Sequence, residues 1–247
     1  MIKRYTHFAL TAVLSLWITT ATAQSQTAPE SESVEVPRLR ALTIGLENNL
    51  TTLEILDGSL QSIGQLALRE QAFSEEFTSP IVEGKLIFGV PNGTDEEGKP
   101  LFRQVASVKW NSSMRQTCLI FVPKSLVGKS QNANDYGIQL LDMSPSAFKF
   151  GHTKILNFTP LNTMVRMGEH KEKVAAWGSA NLSKINDVTE LNMAQIEVYY
   201  IFNDKVHTAH QTRIRYLDRV RYITLIYPDI QNKRIAVNII KDFGKLY

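Results

Sequence analysis

The chain has 247 residues, of which 43% are hydrophobic and 21% are charged, a composition typical of a folded globular protein rather than a disordered chain. The formal net charge is +3 and falls to about +1 without Lys3 and Arg4, so a general affinity for nucleic acid is excluded. The length suits one large β domain or two domains of about 100 residues each.

The N-terminus has the three parts of a secretory signal peptide. Lys3 and Arg4 form a positive region, Phe8 to Ile18 form an apolar region, and Ala21-Thr22-Ala23 has the small-x-small pattern of a cleavage site. We therefore expect residues 1–23 to be removed and the protein to be exported to the periplasm or the extracellular space. The apolar run is shorter than the about 20 residues of a spanning helix, so the mature chain is expected to lack a transmembrane segment.

After the leader, the sequence predicts a disordered lead-in and then strands. Residues 24–37 are rich in Ser, Thr, Glu and Pro and contain almost nothing apolar to bury. Beyond them, short runs of β-branched and aromatic residues alternate with turn signals, as at 163–167, 194–202 and 220–227. No stretch keeps a helical period of apolar residues over three turns. This pattern predicts an all-β fold of antiparallel, sandwich-like sheets.

A weak internal repeat indicates two similar halves. The segment Leu50 to Gly58 resembles Leu161 to Glu169 in its rhythm, and each follows a strand and a turn. Two Ig-like halves of about 38–128 and 135–247, separated by a polar segment, would explain the likeness and have ordinary domain sizes. Short strands with frequent turns also produce chance likeness, so duplication and coincidence both remain open.

Packing and turn motifs extend over most of the mature chain. They are Trp110, Cys118–Pro123, Tyr136–Asp142, Phe148–Gly151, Ile155–Pro160 and Val220–Tyr227. These motifs resemble a group of uncharacterised exported proteins of environmental Gram-negative bacteria. The resemblance implies a β-rich envelope protein and carries over no functional residue, because no activity is assigned to that group.

Sequence motifs of catalysis are absent. There is no Gly-x-Ser-x-Gly elbow, His-Glu-x-x-His pair, Walker loop or Gly-x-Gly-x-x-Gly fingerprint. His207 and His210 are the only close histidine pair, and on a regular strand their spacing places them on opposite faces, which prevents a shared metal. Cys118 has no disulfide partner and lies among apolar neighbours, so we expect a buried, unreactive thiol. The sequence therefore predicts no catalytic residue, no metal site and no cofactor.

Charge is distributed unevenly along the chain. Residues 24–100 hold 13 acidic and 5 basic side chains, whereas residues 203–247 hold 9 basic and 4 acidic ones. Such asymmetry indicates either a basic binding face or two halves that attract each other.

Four arginines are the candidate binding residues. Arg213 and Arg215 alternate with Thr212 and Ile214, and Arg219 and Arg221 repeat this spacing. If the two segments pair as a hairpin, the four guanidinium groups form a patch for carboxylates or phosphates, carried by an acidic envelope protein, a glycan or a lipid headgroup. The alternatives are a solvated sheet face and arginines paired with the acidic N-terminal half.

Together these observations favour an exported, non-enzymatic cell-envelope protein with a structural or binding role. A hydrolase that gathers acidic or histidine residues from separate strands is the alternative. A chaperone-like role, in which a sheet edge accepts another chain, lies between the two.

Overall fold

The computed structural model describes residues 37–45, 51–69, 71–127 and 135–244. All of these residues belong to one compact unit. The predicted signal peptide and nearly all of the predicted lead-in lie outside the described residues.

The described residues are almost entirely strands, which confirms the all-β prediction. Their elements in chain order are β1 (Arg38–Thr43), β2 (Thr52–Leu56), β3 (Ser62–Ala67), β4 (Lys85–Thr94), β5 (Pro100–Lys109), β6 (Gln116–Pro123), α1 (Lys124–Val127), β7 (Tyr136–Asp142), β8 (Thr153–Asn157), β9 (Thr163–Met167), β10 (His170–Val174), β11 (Ser179–Leu182), β12 (Met193–Phe202), β13 (Lys205–Arg215), β14 (Arg221–Asp229) and β15 (Arg234–Asp242). Within these described ranges, no helix is long and apolar enough to cross a membrane.

The strands form four sheets, which we name by their position. The first outer sheet has the order β3-β2-β4-β5 and the first inner sheet the order β1-β6-β7. The second inner sheet has the order β11-β8-β14-β15 and the second outer sheet the order β10-β9-β12-β13.

Three apolar clusters join the sheets face to face. The first packs Phe88 of the first outer sheet against Phe121 of the first inner sheet, with ring centroids 5.2 Å apart. The middle cluster joins the two inner sheets, and Ile120 and Leu225 are among its members. The third joins the second inner sheet to the second outer sheet and includes Ile196. The two inner sheets are therefore covered on both faces, and the two halves share the middle core.

This double coverage explains the continuous apolar runs in the sequence. All residues of β6 after Gln116 are buried, and so are the first six residues of β14. Both strands also have a parallel neighbour, β1 for β6 and β8 for β14, within sheets that are otherwise antiparallel. Parallel strands buried on both faces lack the alternation of a half-exposed strand.

Strand pairing repeats between the two halves. In each half a parallel pair of strands lies next to an antiparallel strand (β1-β6-β7 and β8-β14-β15). Each outer sheet joins a short hairpin (β2-β3 or β9-β10) to a long hairpin (β4-β5 or β12-β13) through the pairing of β2 with β4 or of β9 with β12. β11 has no equivalent among the described strands of the first half. β7 pairs with β6 along its length, so the repeat divides between β7 and β8, whereas the sequence placed the division between 128 and 135.

Candidate functional site

The four candidate arginines do not lie together. Arg213 and Arg215 are exposed on β13, and Arg219 is exposed in the following turn, but Arg221 is buried at the start of β14. β13 pairs with β12 in the second outer sheet, while β14 pairs with β8 and β15 in the second inner sheet. The hairpin on which the four-arginine patch depended therefore does not form.

Tyr216 explains why the chain changes sheets at this point. Its side chain is buried, and its hydroxyl donates a hydrogen bond of 2.5 Å to the Gly151 carbonyl while accepting one of 3.0 Å from the Ile185 backbone N–H. The ring also stacks on Tyr222, with centroids 5.3 Å apart. These contacts draw residues 216–220 from the outer sheet into the inner one, so β14 begins in a different layer.

Arg221 instead joins the two inner sheets. Its Nε donates to Asp242 Oδ2 at 2.7 Å, and Arg40 Nη1 donates to the other oxygen of Asp242 at 3.0 Å. The Arg221 guanidinium also lies over the Phe150 ring at 4.8 Å. Arg221 is 5% exposed and Asp242 1%, and breaking such a buried pair typically costs about 3–5 kcal/mol. This cluster is structural, because its charges already have partners.

A basic face does exist, with a different membership. The outward-facing side of the second outer sheet carries Arg213 and Arg215 of β13, Arg166 of β9, and Lys171 and Lys173 of β10, all exposed. The cross-strand pairs Arg166 with Lys171, Met164 with Lys173, Gln195 with Arg213 and Met193 with Arg215 place these cations on one side, because directly opposed residues share a face. We call these five residues the basic face.

One acid lies within the basic face. Glu197 of β12 is opposite both Arg166 and Gln211. Its carboxylate accepts hydrogen bonds from Gln195 and Gln211 at 2.8 and 3.3 Å and lies 3.6 Å from the Arg166 guanidinium. The other four cations form no ion pair with any described residue. The face therefore keeps a strong positive excess.

The basic face continues into an apolar end. Met164, Tyr199, Ile201 and Val206 point outward from β9, β12 and β13 and line an apolar depression of about 380 Å³ that Lys173 borders. Ile201 is 55% exposed and Val206 70%. Large exposed apolar side chains grouped beside charged residues are typical of an interaction surface.

The sequence could have identified the remaining cations. β9 was predicted with its observed limits, and a tight turn at Gly168 and Glu169 joins it to β10. Alternation along β9 places Met164 and Arg166 on one face, and the hairpin partner strand then aligns Lys171 and Lys173 with them. The sequence did not show that β13 pairs with β12. The prediction paired Arg213 and Arg215 with the segment that follows them instead.

The histidine pair is arranged differently from the prediction. β13 has an irregularity opposite Val198 and Tyr199, where Ala209 is the extra residue, so His207 is opposite Tyr200 and His210 opposite Val198. The bulge therefore places both imidazoles on the core-facing side, with His207 stacked on Tyr200 at 5.1 Å. Burial lowers the pKa of His210. No group of three or more His, Cys, Asp or Glu among the described residues could hold a metal ion.

Cys118 and Glu169 are two further titratable groups whose pKa values are shifted by their surroundings. Cys118 is fully buried in the middle core, and burial together with the nearby Asp242 carboxylate raises the pKa of its thiol, which suppresses thiolate formation. Glu169, in the β9–β10 turn, accepts hydrogen bonds from the backbone N–H groups of Asn186 and Asp187 at 2.8 and 2.9 Å. Burial opposes the shift, yet these bonds lower the pKa of Glu169 to about 2.

No protein-family model matches this chain, and no curated protein is significantly similar to it.

Proposed function

We propose that this chain is an exported, non-enzymatic envelope protein that binds an anionic membrane surface through the second outer sheet. The observation that carries the proposal is the basic face, five cations with one acid on one side of a sheet. The predicted signal peptide, residues 1–23, supports a location where such membranes are present.

Electrostatics favours a surface as the partner. Cations near an anionic bilayer contribute roughly 1 kcal/mol each, and the attraction falls off within a Debye length of about 10 Å. A sheet face presents its side chains in one plane, so Arg166, Lys171, Lys173, Arg213 and Arg215 can approach headgroups together. Because four of them have no described ion-pair partner, binding does not require an internal pair to break.

The apolar end favours lipid over a purely polar polyanion. Ile201 and Val206 are largely exposed and continue the same face. Apolar and aromatic side chains beside cations enter the boundary between headgroups and acyl chains while the cations bind the phosphates. Tyr199 has the mixed character of residues enriched at that boundary.

The hydrolase alternative stays a prediction; among the described residues, no group of three or more His, Cys, Asp or Glu could hold a metal ion for it. Its test is an activity screen of the mature chain on envelope glycans and esters. Turnover that a His207→Ala or His210→Ala variant loses would favour it.

The membrane proposal is tested by flotation of the mature chain, residues 24–247, with vesicles. Vesicles of phosphatidylcholine mixed with phosphatidylglycerol, which supplies the negative surface charge, are compared with pure phosphatidylcholine. The face variant replaces Lys171, Lys173, Arg213 and Arg215 by Gln. We expect it to lose binding by at least about tenfold.

A matched control removes the same charge elsewhere, at exposed cations outside the basic face, namely Lys85, Lys109, Lys149 and Arg219. This control should bind anionic vesicles like the native chain, and neither should bind neutral vesicles. Equal loss in both variants would show that net charge alone matters, and absence of native binding would overturn the proposal.

A further inference from the structure

A second site lies between the two inner sheets, away from the basic face. β7 of the first inner sheet and β8 and β11 of the second border a cavity of about 340 Å³. Lys154, Trp177, Phe158, Asp142, Gln139 and Asn181 are among the residues that line it. Cavities of this size are typical of small-molecule sites.

Lys154 is an unusual residue for this position. Its neighbours on the same side of β8 and β14 are members of the middle core, including Leu156, which also lines the cavity. The ammonium makes no ion pair or hydrogen bond with a described residue, and Lys154 is partly buried. Burial lowers the pKa of Lys154. A partly desolvated cation without a partner in a cavity is a candidate ligand contact.

Trp177 occupies a turn position that does not suit it. The Gly178 N–H donates to the Ala175 carbonyl at 3.0 Å, and Trp177 has a φ of 57° at the third position of this turn. A turn with positive φ only at that position is of type II, where Gly or Asn is normal. A bulky residue in this conformation is strained, and such strain is concentrated at functional sites.

The turn is held rigidly in this conformation. The buried Asn157 side chain donates to the Leu161 and Ala175 carbonyls at 2.8 and 2.9 Å and accepts from the Thr159 backbone N–H at 3.0 Å. The Trp177 backbone N–H in turn donates to the Thr159 carbonyl at 3.1 Å. The network fixes the backbone of Trp177, a residue that is 49% exposed. A large aromatic side chain is thus presented to solvent on a preorganised support.

From this geometry we propose that the cavity binds an acidic sugar unit, a pyranose ring that bears a carboxylate. Lys154 pairs with the carboxylate, the Trp177 and Phe158 rings cover the apolar face of the pyranose, and Asp142, Gln139 and Asn181 bond its hydroxyls. Asp142 accepts one hydrogen bond within the chain, from the Ser144 backbone N–H at 2.8 Å, and its second oxygen can accept from a sugar hydroxyl. Gln139 and Asn181 are exposed polar side chains at the same cavity, and a hydroxylated ring matches this polar lining better than an apolar acid does. The inference is independent of membrane binding, because none of these residues belongs to the basic face.

The probe is galacturonate, with galactose as the neutral match, in which a hydroxymethyl group replaces the carboxylate. Ligand-observed NMR titration of the mature chain should show saturable binding of galacturonate and at least tenfold weaker binding of galactose, the factor expected when one charged contact is lost. Lys154→Met should reduce galacturonate affinity by a similar factor. Lys149→Met, an exposed lysine outside the cavity, is the control and should leave affinity unchanged.

Trp177→Gly separates binding from folding. Glycine suits the positive φ, so the variant should keep or raise its Tm while it loses galacturonate binding. Binding retained by this variant, equal affinity for the two sugars, or no saturation up to about 10 mM galacturonate would each overturn the inference. Vesicle flotation of Lys154→Met should match the native chain, which keeps the two sites distinguishable.

Discussion

The two outer sheets have the same pattern of strand pairing but present different side chains to solvent. On the outward face of the first outer sheet the charged residues of the described strands are Glu54, Lys85 and Lys109. Glu54 is bonded to Ser62 and Gln65 at 2.6 and 3.0 Å, much as Glu197 is bonded by its glutamines. The second outer sheet adds five cations and an apolar end.

The comparison shows which faces are constrained. The inward faces of both sheets pack against an inner sheet and must be apolar, as Phe88 and Ile196 are. Their outward faces have no such requirement and can differ without altering the fold. We therefore expect specific function on the face where the two halves differ most.

The largest expected effect is on the free energy of unfolding, and it tests whether the inward faces of the two outer sheets contribute equally to stability. Phe88→Ala and Ile196→Ala each remove a fully buried side chain, and such deletions cost about 3–5 and 2–5 kcal/mol. Because the middle core is shared, we expect urea unfolding of either variant to show one transition, followed by both far-ultraviolet circular dichroism and tryptophan fluorescence. Ile201→Ala, at an exposed position, should change the free energy of unfolding by less than about 0.5 kcal/mol.

Two separated transitions, with only one of them shifted by each variant, would contradict this expectation. The halves would then unfold independently in spite of the shared core.

A smaller effect tests whether positive charge on an outward sheet face is sufficient for binding to anionic vesicles. In the face variant, Thr52→Lys, Ala67→Lys and Ser107→Lys add cations to the outward face of the first outer sheet, beside Lys85 and Lys109. We expect flotation with anionic vesicles to recover by about threefold or more. The same three positions changed to Gln serve as the control, and no recovery with lysine would show that the apolar end is required.

The smallest effect concerns pH. A carboxylate whose pKa is lowered from its ordinary 4.5 to about 2 stabilises the fold above pH 4.5, and this contribution is lost as pH falls toward 2. Glu169→Gln should therefore be less stable than the native chain at pH 6 by about 1 kcal/mol or less, because the group is partly solvated. The difference should shrink below about pH 4.5 and vanish near pH 2 in urea titrations. A difference that does not change with pH would contradict the lowered pKa.

Strands and turns could be predicted from the sequence where their own residues carry a clear hydrophobic alternation or turn preference. β9 was predicted with its observed limits, and Asn203-Asp204, residue types that favour a two-residue hairpin turn, form such a turn with φ of 50° and 57°. β11 was missed, because four residues with only Leu182 buried carry no periodic signal. The histidine pair was misplaced because a bulge adds one residue and reverses the alternation that follows.

The sequence by itself determined the fold class, strands such as β9, β12 and β14, and a basic excess near the C-terminus. Only the tertiary structure decided the parallel pairing of β8 with β14, the shared middle core, and the separation of Arg221 from Arg213. The physical reason is that hydrophobic period and turn chemistry are local, whereas sheet partners depend on distant apolar faces that must cover each other. A surface such as the basic face is composed from several strands, so its membership follows from that pairing.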